Sequence, residues 1–142
     1  MPVHLAETPE DIARCFDVFH ELRPNLTSPE DLVAKVQQQQ REGFQLAFLE
    51  HEGRVVTIAG FRIHHVIISG LTLYVDDLVT GAAFRSQGHG KAMLDWLIAH
   101  ARSQNCDTFS LVSGTHRQSA HAFYFRERMR ITSFHFHLPL KP

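Results

Sequence analysis

The chain has 142 residues, of which 44% are apolar, 14 are Lys or Arg and 15 are Asp or Glu. That length fits one domain, 1–142, with apolar content enough for a real core, and a net charge of -1 supplies no field drawing it to nucleic acid or an anionic membrane. A small-molecule partner is expected instead. The start, MPVHLAETPEDIARC, has no basic stretch leading into a long apolar run, and the longest apolar stretches, such as HVIISGLTLYV, are broken by polar residues or glycine, so the chain reads as cytoplasmic. Cys15 and Cys106 lie in no metal-ligand spacing and read as reduced structural thiols.

In chain order, PVHL reads as a short strand. TPEDIARCFDVFHELRP follows with Thr8 as a helix cap, Pro9 in the first turn, acids behind it, and Ile12, Phe16, Val18 and Phe19 as an apolar stripe that ends before Pro24. SPEDLVAKVQQQQREG repeats that grammar: Ser28 caps, Pro29 opens, Leu32, Val33 and Val36 face inward, and Gly43 stops the helix. FQLAFLEHEGRVVTIAGFRIHHV predicts two strands turning at Glu52 and Gly53, and LTLYVDDLVT predicts a third. Met93, Leu94, Leu97, Ile98 and Ala101 recur at helical spacing; CDTFSLVS is then a strand, QSAHAFYFRERM a helix and ITSFHFHL a last strand. This order predicts an α/β (α+β) fold, a mixed sheet flanked by helices.

Between the third strand and the next helix stands FRSQGHGKAMLDW. It fits neither known glycine fingerprint in full: a dinucleotide loop needs glycine at Met93, and a P-loop needs glycine at Arg85 and Ser or Thr at Ala92. What remains is physical. A helix start offers unpaired amides and the positive end of a dipole, and glycines clear the side chains that would keep a phosphate off them. Glycine spacing alone is equally compatible with a plain strand-to-helix turn.

Arg-x-x-Gly-x-Gly after the strand YVDDLVT resembles the acetyl-CoA motif of the GNAT superfamily of N-acetyltransferases. RQSAHAFYFRERM is similar to that family's C-terminal helix pattern, with Ala120, Phe123 and Tyr124 in place, while Arg117 stands at its Asn position and Arg128 where Gly usually closes the helix. The resemblance implies a mostly antiparallel central sheet with helices on both faces, and acetyl-CoA as co-substrate. It implies that the diphosphate lies on Arg85, Ser86, Gln87, Gly88, His89, Gly90 and Lys91, with Ser86 at a position where many members have glycine. It further implies that the pantetheine arm pairs with the backbone of Leu78, Val79 and Thr80, that the Val79 amide polarises the thioester carbonyl, and that Arg117 reaches the cofactor as a cation.

Acyl transfer to an amine also needs an acid for the departing thiolate, and Tyr124 lies at the family's general-acid position. Asp76 and Asp77 alternate along a strand, so one of them faces the acceptor. The resemblance assigns Asp76 as base through water or anchor for a cationic substrate, leaving Asp77 to a structural pairing. Neither cysteine falls in the motif and no Ser-His-acid grouping appears, so transfer is direct, in a ternary complex. Among the 11 histidines, His135 and His137 would share one strand face but lack a nearby acid or cysteine to complete a ligand set, and His64 and His65 point to opposite faces, so no metal is expected. The acceptor reads as a primary amine of a small molecule or peptide, met by the first helices with Glu21, Glu30 and Asp31 beside Phe16, Phe19 and Phe44. The resemblance implies a homodimer through ITSFHFHL. The alternative is a non-catalytic acyl-CoA-binding or regulatory domain.

Overall fold

The computed structural model describes residues 2–142. Its elements are β1 (Val3–Leu5), α1 (Pro9–Arg14), α2 (Phe16–Leu22), α3 (Pro29–Gln40), β2 (Phe44–His51), β3 (Arg54–Val66), β4 (Gly70–Thr80), a 3-10 turn (Ala82–Phe84), α4 (His89–Ser103), β5 (Thr108–Leu111) and α5 (Gln118–Arg126). By internal packing the chain divides into two compact units, Met1–Ser110 and Leu111–Pro142.

Local chemistry explains most boundaries. The Asp11 amide donates to Thr8 Oγ1 at 3.2 Å and the Asp31 amide to Ser28 Oγ at 3.0 Å, so each predicted cap satisfies an orphan amide of its helix. The first predicted helix is two. The Cys15 amide bonds to Ile12 rather than to Asp11, a tightened turn that splits α1 from α2, while the Cys15 thiol donates to the Asp11 carbonyl. Burial pushes that thiol up to about 12, which leaves it protonated and inert. The β2–β3 hairpin turns on Glu52 and Gly53, both at positive φ (53° and 74°), as a two-residue turn matched to strand twist requires.

The sheet runs in the order β1-β2-β3-β4-β5, and the β1-β2, β2-β3 and β3-β4 pairs are antiparallel. One face meets the first three helices: Ile12, Val18, Phe19, Leu32 and Val36 pack on Phe44, Leu46, Phe48, Ile58 and Val79. The other meets α4. Phe61 pairs across the ladder with Gln45, hence opposite Phe44 and Leu46, and its ring stands edge-on to Trp96 and His100. Helices thus cover both faces of the sheet.

The second unit corrects one expectation. ITSFHFHL forms no strand: Met129–Pro142 has no regular structure, and Ile131, Phe134, Phe136, Leu138 and Leu140 are exposed. Alternation equips a segment for a ladder, but ladder bonds need a neighbour, and apart from the end of β5 this unit holds no other strand among the described residues.

Candidate active site

Thr80 ends β4, and the chain turns through Ala82–Phe84 into the glycine loop. The turn is tied down twice: the Gly81 amide donates to the Val56 carbonyl, and the Ala82 amide to Glu21 Oε1 at 2.8 Å. The Arg54 guanidinium covers the Phe84 ring at 4.9 Å. Ser86 and Gly88 then take left-handed backbone, φ 62° and 83°. Glycine adopts that shape freely; Ser86 holds it at a cost of ~1–2 kcal/mol. The departure at Ser86 therefore changes side chain without changing the loop's form.

Helix α4 begins at His89 with Gly88 as its cap, no side chain bonding its first amides and no acid in its first turn. The first amides of this 15-residue helix, those of His89 and Gly90, stand at the positive end of its dipole with no side-chain cap. A β-carbon placed on Gly88 would meet nothing within 4 Å, so the approach to them is open. Arg85, Ser86, Gln87, Gly88 and Lys91 are exposed, and Gly90 is half-buried. These residues fit a diphosphate. Leu78, Val79 and Thr80 pair on one side with Ala59, Ile58 and Thr57 of β3, whereas β5 grips β4 at its far end, where the Asp107 amide donates to the Leu71 carbonyl and Thr108 Oγ1 to that of Ser69.

The His89 side chain turns inward. Its ring is 2% exposed, 5.3 Å from the His51 ring, and neither nitrogen has a hydrogen-bond partner among the described residues. Burial, with His51 adding to it, holds its pKa below the ordinary value. The folded ring thus binds a proton less readily than the unfolded one, and stability is lost as the pH falls below the unfolded value of about 6.5. His89→Leu, which removes the unpaired nitrogens and keeps the amide, is expected to raise stability by ~1–3 kcal/mol at neutral pH. Its advantage widens toward pH 5 in denaturant titrations; an unchanged or lowered midpoint overturns the reading.

The aspartates depart from simple alternation. The β3-β4 register jumps from Gly60↔Asp77 to Phe61↔Val75, leaving Asp76 as the extra residue of a bulge. Val75 then shares the α4 face with Phe61, while Asp77 shares the opposite face with Gly60 and Phe44. Asp76 Oδ2 accepts from Arg62 Nε at 2.8 Å, and Arg62, which stacks on Phe44, donates its other end to Gln39 Oε1 of α3 at 2.9 Å. Asp77 Oδ1 accepts from Arg23 Nε at 2.7 Å. Both carboxylates therefore reach the side of the first three helices, where alternation had predicted one. Burial raises the Asp77 pKa, and Arg23 pulls against it. Of the other acceptor-side candidates, Asp31 accepts from the Thr27 amide and from Lys35, and Phe19 is core. Arg23, Arg62 and Gln39 carry no motif; only the three-dimensional register reveals them.

In the second unit, Tyr124 is buried on α5, 5.6 Å from the Phe123 ring. Burial raises its phenol pKa while the nearby Arg117 cation works to lower it, so the hydroxyl keeps its proton at neutral pH. The helix ends as a glycine-closed helix does: Arg128 is left-handed at φ 67°, its amide donates to Phe125 and that of Met129 to the Tyr124 carbonyl.

The model of the Acetyltransferase (GNAT) family matches residues 10–129. The chain belongs to the GNAT family of acetyltransferases. This GNAT chain is also 33% identical over 115 residues to the "uncharacterized N-acetyltransferase YhdJ" of Bacillus subtilis (strain 168), a match that covers 81% of each. Its fold is shared by an acetyltransferase of Trypanosoma brucei, 22% identical with a TM-score of 0.79 over 98% of this chain and 99% of that one. It is shared equally by a ribosomal-protein-alanine N-acetyltransferase of Brucella melitensis, 13% identical with a TM-score of 0.84 over 99% and 100%. Among the described residues, no group of three or more His, Cys, Asp or Glu is placed to hold a metal ion, and no helix is long and apolar enough to cross a membrane.

Proposed function

We propose that this GNAT chain, acting as one functional domain in the cytoplasm, transfers an acetyl group from acetyl-CoA to a primary amine of a small molecule or peptide. Transfer is direct, in a ternary complex. The observation that carries this is the start of α4 behind the open, left-handed Gly88: backbone amides with no side-chain cap, and a dipole with no acid in its first turn, suit a diphosphate.

Bound acetyl-CoA supplies an activated acetyl thioester. The chain's own residues do the rest. The loop Arg85–Lys91 binds the diphosphate, the backbone of Leu78–Thr80 orients the pantetheine arm, and the Val79 amide donates to the carbonyl oxygen. Asp76 anchors or deprotonates the amine, Tyr124 delivers a proton to the departing sulfur, and Arg117 adds a cation toward the cofactor. The exposed alternation of Phe134, Phe136 and Leu138 supports a homodimer in which the tail finds a strand to pair with.

Thermal unfolding with and without coenzyme A tests this reading. At a concentration 100 times its Kd the ligand contributes ~2.7 kcal/mol, a rise of several degrees for a chain of this size. No protection overturns the proposal. Protection without thiol release on any amine of a broad panel favours the non-catalytic acyl-CoA-binding domain.

A further inference from the structure

The end of α2 and the residue after it reach the chain on both sides of the stretch Leu78–Thr80. Before it, the Arg23 guanidinium donates through Nε to Asp77 Oδ1 at 2.7 Å and through Nη2 to the Asp76 carbonyl at 3.1 Å. After it, Glu21 accepts from the Ala82 amide at 2.8 Å. The first contact falls on the bulge, where Asp76 has no cross-strand partner and its carbonyl needs a donor. One planar fork answers the carbonyl and the neighbouring carboxylate together, in fixed relative geometry. Arg62 differs. It is held at both ends by Asp76 and Gln39 and lies on Phe44, so it ties strand to helix. The Arg23 side chain is 46% exposed and the Asp77 carboxylate only 12% exposed, so the outer part of the pair is the guanidinium.

We propose that Arg23 is a positioning residue: it braces the β4 bulge and holds Asp77, beside Asp76, as an anion facing the ammonium of the acceptor amine. This rests on the transferase reading above and adds Asp77 and Arg23 to it. The charged and titratable groups facing Asp77 are Arg23 beyond α2, Arg62 of β3, and Asp76 and Tyr74 of its own strand. Burial and the Asp76 charge favour the protonated acid; Arg23 and Arg62 oppose them. Without Arg23, Asp77 takes up a proton at higher pH.

Carboxyl-13C NMR titration of Asp77 in the protein free of coenzyme A, for wild type, Arg23→Gln and Arg23→Lys, reads this directly. The midpoint is expected to rise by about one pH unit or more in Arg23→Gln, a tenfold or greater gain in proton affinity, and to return most of the way in Arg23→Lys. With an accepted amine, the pH below which its KM climbs should move up by the same interval while coenzyme A affinity holds. An unmoved Asp77 midpoint overturns the inference, as does a midpoint that moves while the KM profile stays. Failure of coenzyme A to protect the wild type sinks the transferase reading instead and leaves the NMR result to judge the Arg23–Asp77 coupling. Should Arg23→Gln not fold, Asp77→Asn with Arg23 kept decides: an amine KM raised about tenfold or more at neutral pH supports the inference, and one within about threefold of wild type overturns it.

Discussion

Gly88→Glu is expected to abolish coenzyme A binding while leaving the protein folded. The side chain would enter empty space, so it meets no steric barrier; the left-handed φ of 83° costs a non-glycine residue only ~1–2 kcal/mol. Its charge is the decisive change. A carboxylate at the cap of α4 binds the amides of the first turn and offsets the dipole, as an ordinary acidic cap does, and it repels a diphosphate by like charge. Charge-assisted hydrogen bonds contribute ~1.5–3 kcal/mol each, so losing two weakens coenzyme A by roughly a hundredfold or more. Calorimetry of wild type and variant, with circular dichroism as the check on folding, measures it. Binding within threefold of wild type removes the loop from the proposed site. Gly88→Ala separates shape from charge: it carries the backbone cost without the carboxylate and should keep most of the affinity.

The second large effect is expected at Tyr124. If its hydroxyl protonates the departing thiolate, Tyr124→Phe lowers kcat by ~10²–10⁴-fold and leaves KM for acetyl-CoA nearly unchanged, because the ring and its packing remain. The sign of the pH dependence follows from the environment. Burial raises the phenol pKa, with the Arg117 cation a weaker opposing influence, so the protonated form persists beyond the ordinary value of about 10. The alkaline fall in kcat should therefore begin above that value in wild type. Arg117→Gln, which takes away the cation, should push it higher still. A variant phenylalanine enzyme as fast as wild type makes Tyr124 a packing residue.

What could be read from residue order was whatever short range decides. Thr8 and Ser28 cap their helices, Glu52 and Gly53 turn the hairpin, and α4 buries Met93, Leu94, Leu97 and Ala101, each because neighbours a few residues apart settle the outcome. The form of the glycine loop was legible for the same reason: a left-handed Gly88 opening α4 is a local matter. The acceptor side was not. Arg23 meets Asp77 across 54 residues and Arg62 meets Asp76 across 14, pairings that nothing nearby in the sequence announces. The bulge at Asp76 is invisible to a rule of strict alternation, because an extra residue in one strand shows only against its partner. The tail failed from the opposite side. Phe134, Phe136 and Leu138 have the pattern of a strand, but pattern does not supply the neighbouring backbone.

The Arg128 turn bears on how kin of this chain are to be found. It closes α5 with the same pair of backbone bonds that a glycine would allow, on a residue with a long charged side chain. A pattern filter that insists on glycine there would discard this molecule although its main-chain path qualifies. Genome screens for such enzymes would miss fewer members by scoring torsion-compatible substitutions at that position, asparagine and arginine included, in place of one obligatory letter.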